Sequence, residues 1–222
     1  LGIPELHFGH AFNMFCGLTV NTRTIHKNYN AYIIPLDYPF PTNPYLGTLL
    51  HHIKHTLCDD NDAIYEYLLN WLAYIVQNQG KKTGVMIVFI GPSGCGKSTF
   101  YSWLQPIFGQ YFENIKTADL GAQFSGTSFN EKFLIAIDEW NIKELDPKMA
   151  DGLLKNIVTD PTMRVEAKYV QAYTATSHNN LMASTNFSFG IAPSSVGYFR
   201  RLLTIKCGST KPPQYYKEMH KL

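Results

Sequence analysis

The chain has 222 residues, 45% of them hydrophobic and 16% charged, enough apolar material to bury a core and far from the composition of a disordered chain. Its formal net charge of +2 excludes a uniformly basic, histone-like nucleic-acid binder. From residue 161 onward, however, eight Lys or Arg face two acids, so the C-terminal part is basic and the rest acidic. Cys16, Cys58, Cys95 and Cys207 form no CxxC pair and read as reduced thiols rather than a disulfide framework or zinc knuckle. The apolar runs Trp71–Val76 and Val85–Ile90 fall short of the roughly 18 residues of a membrane span, and no signal-like start precedes them. The expectation is a soluble, intracellular protein. An opening at Leu1 rather than Met reads as a region cut from a longer polypeptide.

In chain order, residues 1–44 show no sustained period and read as irregular or mixed. From Leu46 to Gln79 the pattern turns helical: Ile64, Leu68, Trp71, Leu72 and Ile75 make one apolar stripe. It is expected to end at Gly80, with Lys81 and Lys82 as late cations. Val85–Ile90 is an unbroken apolar run, as in a strand buried on both faces of a parallel sheet. Phe133–Ile137 is a second such run, with shorter ones at Leu181–Ala183 and Leu202–Ile205. Pro147–Val158 reads as a helix capped by Asp146, with Met149, Leu153, Leu154 and Ile157 on one face. Strands alternating with helices predict a three-layer α/β fold with a central, mostly parallel sheet. The expected division is an N-terminal segment and helical subdomain over 1–80, a core over 81–210 and a tail over 211–222.

The first strand runs directly into Gly91-Pro92-Ser93-Gly94-Cys95-Gly96-Lys97-Ser98, followed by Thr99 and a helix. This is the G-x-x-x-x-G-K-[ST] phosphate loop in its strand–loop–helix setting. Glycines let the backbone curl so that N–H groups face phosphate oxygens, Lys97 reaches the β- and γ-phosphates, and Ser98 is a ligand for Mg²⁺. Asp138 and Glu139 end the second strand, at the edge where open α/β sheets bind ligands. Asp138 is expected to hold Mg²⁺ through water, and Glu139 to act as general base on the attacking water. Asn186 ends a third strand, placed to bond a γ-phosphate or the lytic water. Arg200 and Arg201 precede a fourth strand and can stabilise charge on a transferring phosphoryl group. The ordinary alternatives are turn chemistry for Asn186 and a surface ion pair for the arginines.

This ordered set, GPSGCGKST, FLIAIDEW, LMASTN and FRRLLTI, with the lead-in WLAYIVQNQGKK, resembles superfamily 3 helicases, AAA+-related ring motors. It is most similar to the helicase domain of phage, plasmid and large-virus primase-helicases. The resemblance spans about residues 11–206 and implies ATP and Mg²⁺ as cofactors. It implies a ring homo-oligomer, a hexamer, that hydrolyses ATP between subunits and tracks along single-stranded DNA, in the host cytoplasm if encoded by a virus or phage. It further implies a primase domain upstream in the same polypeptide. A channel-lining hairpin in such proteins carries a basic residue that grips the strand; Lys168 matches it, with Tyr169 and His178 nearby, suited to phosphate contact and base stacking. Phe199 stands where primase-helicases often carry an acid, and Arg200 is the preferred finger. The alternatives are a P-loop ATPase that remodels protein or RNA, and a ring scaffold that binds nucleotide without hydrolysing it. His51, His52, His55 and Cys58, with His7 and His10, have zinc-like spacing but no accompanying motif, and exposed or core-packed histidines are the preferred reading.

Overall fold

The computed structural model describes residues 44–78, 80–117, 129, 132–141, 152, 155–167, 170–186 and 200–219. Helix α1 (Pro44–His52) runs into a single π-helical turn over Ile53–Leu57, and α2 covers Asp62–Gln77. The helical pattern expected from Leu46 to Gln79 is thus cut in two. Asp59 and Asp60 take φ of +49° and +62°, and Asn61 accepts from Ile64 N at 3.1 Å as the cap of α2. Short Asx side chains tolerate the left-handed region and compete for helix-start N–H groups, so three in a row break a helix that apolar spacing alone would continue.

Strand β1 (Met86–Ile90) leads into α3 (Lys97–Phe108), followed by β2 (Phe112–Lys116) and β3 (Leu134–Asp138). Residues 155–159 are helical; the capped start of that expected helix, including Asp146, Pro147, Met149, Leu153 and Leu154, lies outside the described residues. Then come β4 (Thr162–Ala167), β5 (Val170–Thr176), β6 (Asn180–Thr185), β7 (Leu202–Lys206) and α4 (Pro213–Met219). Five strands form a parallel sheet in the order β2–β3–β6–β1–β7, while β4 and β5 pair only with each other, antiparallel.

Alternate residues of β1 explain the three layers. Ile87 and Phe89 join a core with Leu57, Leu68, Trp71 and Ile75 of the N-terminal helices and Phe100 and Leu104 of α3. Met86 and Val88 join the opposite core with Ile135, Ile137, Trp140, Ile157 and Val158. With both faces covered, the strands can be apolar throughout, and each fully buried aliphatic side chain contributes about 1.5–3 kcal/mol. The α1–α2 segment therefore shares one core with the sheet. Lys82 caps the C-terminal end of the 155–159 helix, donating to Ile157 O and, at 3.5 Å, to Asn156 O. Burial brings its pKa down to about 8. The cation expected to finish α2 thus serves another helix. Among the described residues no helix is long and apolar enough to cross a membrane.

Candidate functional site

Because the five strands of the sheet are parallel, their carboxyl ends share one edge. β1 delivers the Gly91–Ser98 loop there, β6 delivers Asn186, and β3 delivers Asp138 and Glu139. β6 lies between β1 and β3, so the amide stands between the lysine loop and the acids.

The loop is built on positive φ at Gly94 (+77°) and Gly96 (+93°), a region that side chains rarely adopt. Gly96 is the N-cap residue of α3 and offers no side-chain cap, so the first N–H groups of the helix remain available to an anion. Lys97, only 6% exposed, curls back into the loop. Its Nζ donates to Gly91 O at 2.8 Å, Pro92 O at 2.9 Å and Asn186 Oδ1 at 3.0 Å. Gly91 lies so close to β7 that an added Cβ would stand 2.7 Å from Cys207 Cβ. Pro92, Ser93 and Gly94 are exposed at the rim, where Thr210 Oγ1 donates to Ser93 O at 3.4 Å, and Thr99 is half-buried. Cys95 is buried, hydrogen-bonded to Cys207 and 3.5 Å from Lys97 Nζ. The bond to Cys207 and the neighbouring ammonium hold the Cys95 thiol below the usual thiol range, whereas the bond to Cys95 and burial push Cys207 upward.

Ser98 Oγ donates to Asp138 Oδ2 at 2.9 Å. The other carboxylate oxygen accepts from Ser184 Oγ and from Glu139 N at 3.1 Å. A hydroxyl and a carboxylate so joined are oxygen donors of the kind hard divalent cations take. Glu139 has φ of +58°, which for a side-chain-bearing residue costs about 1–2 kcal/mol. The turn is held by Thr117 Oγ1 donating to Glu139 O at 3.1 Å and by Trp140 N donating to Ser184 O at 2.7 Å. The Glu139 carboxylate is 67% exposed and pairs with Lys116 Nζ at 3.1 Å.

Lys97, Ser98, Asp138, Glu139 and Asn186 are therefore brought together on one edge of the sheet. Arg200 and Arg201 are not. Arg201 O accepts from Met86 N, and Leu202 is paired with Met86 at the amino end of β1, so both arginines stand at the opposite edge, roughly 15 Å of strand away. Arg200 is exposed and Arg201 half-buried. Lys168 and Tyr169 lie outside the described residues. His178 sits on the β5–β6 connection, its Nδ1 bonded to Gly80 O at 2.8 Å. Of the histidine cluster, His52 is wholly buried against the loop and His55 pairs with Asp60. Among the described residues no three His, Cys, Asp or Glu side chains group to hold a metal. Sequence reasoning missed Ser184, although it lies within LMASTN, and Lys116 and Thr117, whose strand is too polar for a buried run.

The fold and this edge define a P-loop-type α/β domain. The chain belongs to DUF5906, a family of unknown function, whose model matches residues 89–201. No curated protein matches it. Among solved structures, the fold is similar to the apo structure of the NrS-1 C terminal region (305–718), with a TM-score of 0.66 and 24% identity over 82% of this chain and 44% of that one. An A form apo structure of the same region gives 0.62 and 24% over 82% and 43%. The chain thus spans less than half the length of that region.

Proposed function

We propose that the chain is the motor part of a DNA-replication helicase, binding Mg²⁺–ATP at the carboxyl edge of the sheet and hydrolysing it to move single-stranded DNA. The observation that carries this reading is the linkage of three separate strand ends, Lys97 to Asn186 and Ser98 to Asp138, on one edge. No structural demand of the core requires a lysine, an amide, a hydroxyl and two acids to converge there.

The residues present suit the ligand. Gly94 and Gly96 supply the positive φ a phosphate-wrapping loop needs, and Gly91 a close approach to β7. The ammonium of Lys97, now on backbone carbonyls, is a donor that phosphate oxygens would take over. Ser98 and Asp138 would hold Mg²⁺, whose chemistry is to neutralise phosphate charge and orient the oxygens. Glu139 accepts the proton of the attacking water, and its exposed carboxylate, held on a strained turn, is aimed by the backbone rather than by packing. Asn186 registers the phosphate end through its bond to Lys97.

Arg200 or Arg201, at the far edge of the sheet, serves a neighbouring subunit's nucleotide, with Arg200 the better candidate because it is exposed. The ring this requires is a homo-oligomer, a hexamer in this reading. The antiparallel β4–β5 pair, with Lys168 and Tyr169 between its strands in sequence, is the DNA-contacting element.

The test is ATP hydrolysis with Mg²⁺, with and without single-stranded DNA, for wild type, Lys97→Ala and Glu139→Gln, alongside light scattering. Turnover stimulated by DNA and lost in both variants is expected. Wild-type turnover equal to that of Lys97→Ala refutes the nucleotide site. Stimulation by RNA or a protein instead of DNA leaves the ATPase and replaces its substrate.

A further inference from the structure

His52 belongs to no motif, yet it is 0% exposed and touches the loop directly. Its Nε2 lies 3.2 Å from Gly96 O and its Nδ1 3.1 Å from Tyr215 Oη on α4. A carbonyl can only accept, so Nε2 carries the proton and Nδ1 accepts from the tyrosine hydroxyl. A directed chain results, from Tyr215 O–H to His52 and from His52 N–H to Gly96 O. Trp103 of α3 meets the ring edge-on with centroids 5.5 Å apart. The ring fills the space a side chain at position 96 would need, since a Cβ there would approach His52 Cε1 to 2.4 Å and Nε2 to 2.6 Å.

We propose that His52 is a positioning residue for the phosphate loop, fixing the Gly96–Lys97 peptide so that the Lys97 N–H is presented to the nucleotide. This inference rests on the nucleotide reading above. In a planar trans peptide the carbonyl and the following N–H point in opposite directions, so anchoring Gly96 O sets where Lys97 N–H aims. Gly96 O also accepts from Phe100 N at 3.1 Å, the first bond of α3. His52 adds a second, lateral anchor to a glycine whose own φ well is broad. Burial brings the imidazole pKa down to about 4, so the group stays neutral and adds no charge behind the loop. Because Tyr215 orients the ring, and Tyr216 Cε1 lies 3.2 Å from where a Cβ at position 96 would stand, α4 is joined to the phosphate site.

Two readouts on the full chain separate positioning from packing. In nucleotide-free protein, amide hydrogen exchange over residues 94–99 should speed up at least about tenfold in His52→Leu while α2 stays protected. Binding of mant-ADP should weaken about tenfold in His52→Leu, recover to within about threefold in His52→Gln, whose amide keeps a donor, and weaken about threefold in Tyr215→Phe. His52→Leu folded, with unchanged exchange and unchanged mant-ADP affinity, overturns the proposal. Where His52→Leu does not fold, His52→Gln and Tyr215→Phe decide: a Tyr215→Phe loop that exchanges and binds as wild type overturns it. Wild type that fails to bind mant-ADP while His52→Leu still loosens the loop refutes the nucleotide reading and keeps the positioning role.

Discussion

The carboxyl edge of the sheet and the β4–β5 ribbon sit in one chain under opposite rules. At the edge, polar groups are spent on one another: Lys97 on two carbonyls and Asn186, Asp138 on two hydroxyls and a backbone N–H. In the ribbon, Val165 is buried, but Thr174, Thr176 and the 46%-exposed Tyr173 face solvent, and a bulge disturbs the register between Val165 and Ala167. A two-stranded ribbon outside the main sheet is marginal alone. The contrast separates an edge whose polar groups are already paired with one another from a ribbon half turned to solvent, which in the proposed reading are the nucleotide site and the DNA-contacting element.

The sharpest way to break this contrast is at Glu139. Glu139→Gln should lower ATP turnover by about 10²–10⁴-fold with mant-ADP affinity unchanged, because it removes the base and leaves the cradle. In the shared scaffold, Leu134→Ala empties a fully buried site in β3 and should cost about 2–5 kcal/mol in urea unfolding. Acid should loosen the edge before the ribbon. His52, with a folded-state pKa of about 4 against an ordinary 6.5, is faced by His51, Lys211 and Tyr215. The unfolded chain binds its proton first, so stability is full above pH 6.5 and falls toward pH 4, by about 3 kcal/mol. His52→Gln should flatten that slope in pH-dependent melts. Glu139→Gly relieves the positive φ and should raise stability by about 0.5 kcal/mol even as hydrolysis is lost, since the exposed Lys116 pair contributes little. Tyr173→Ala, on the ribbon, should stay within about 0.5 kcal/mol of wild type in the same urea titration.

Much of the edge was legible because its residues follow apolar runs closely: Ile90 into Gly91, Ile137 into Asp138, and Ala183, through Ser184 and Thr185, into Asn186. Local sequence carries such a site when each strand end announces itself. β2 was silent, since Glu113, Asn114 and Lys116 interrupt it at an edge position where only Phe112 and Ile115 are buried. His52 was visible as a histidine but not as a neighbour of Gly96, because 44 residues separate them and only the packing of α1 behind the loop joins them. The seven residues of α4 carry too little periodicity to announce a helix, and its contact with the loop appears only in the packing of Tyr215 and Tyr216. The break at Asp59–Asn61 is written in three Asx residues, a local signal that the longer apolar stripe masks.

Placing the arginines a full strand length from their own loop has a consequence for any assay. In the proposed reading, Arg200 and Arg201 stand away from their own chain's loop, and two half-sites would become whole only where copies meet. Specific activity should then climb with protein concentration and collapse on dilution, so that rate becomes a gauge of assembly.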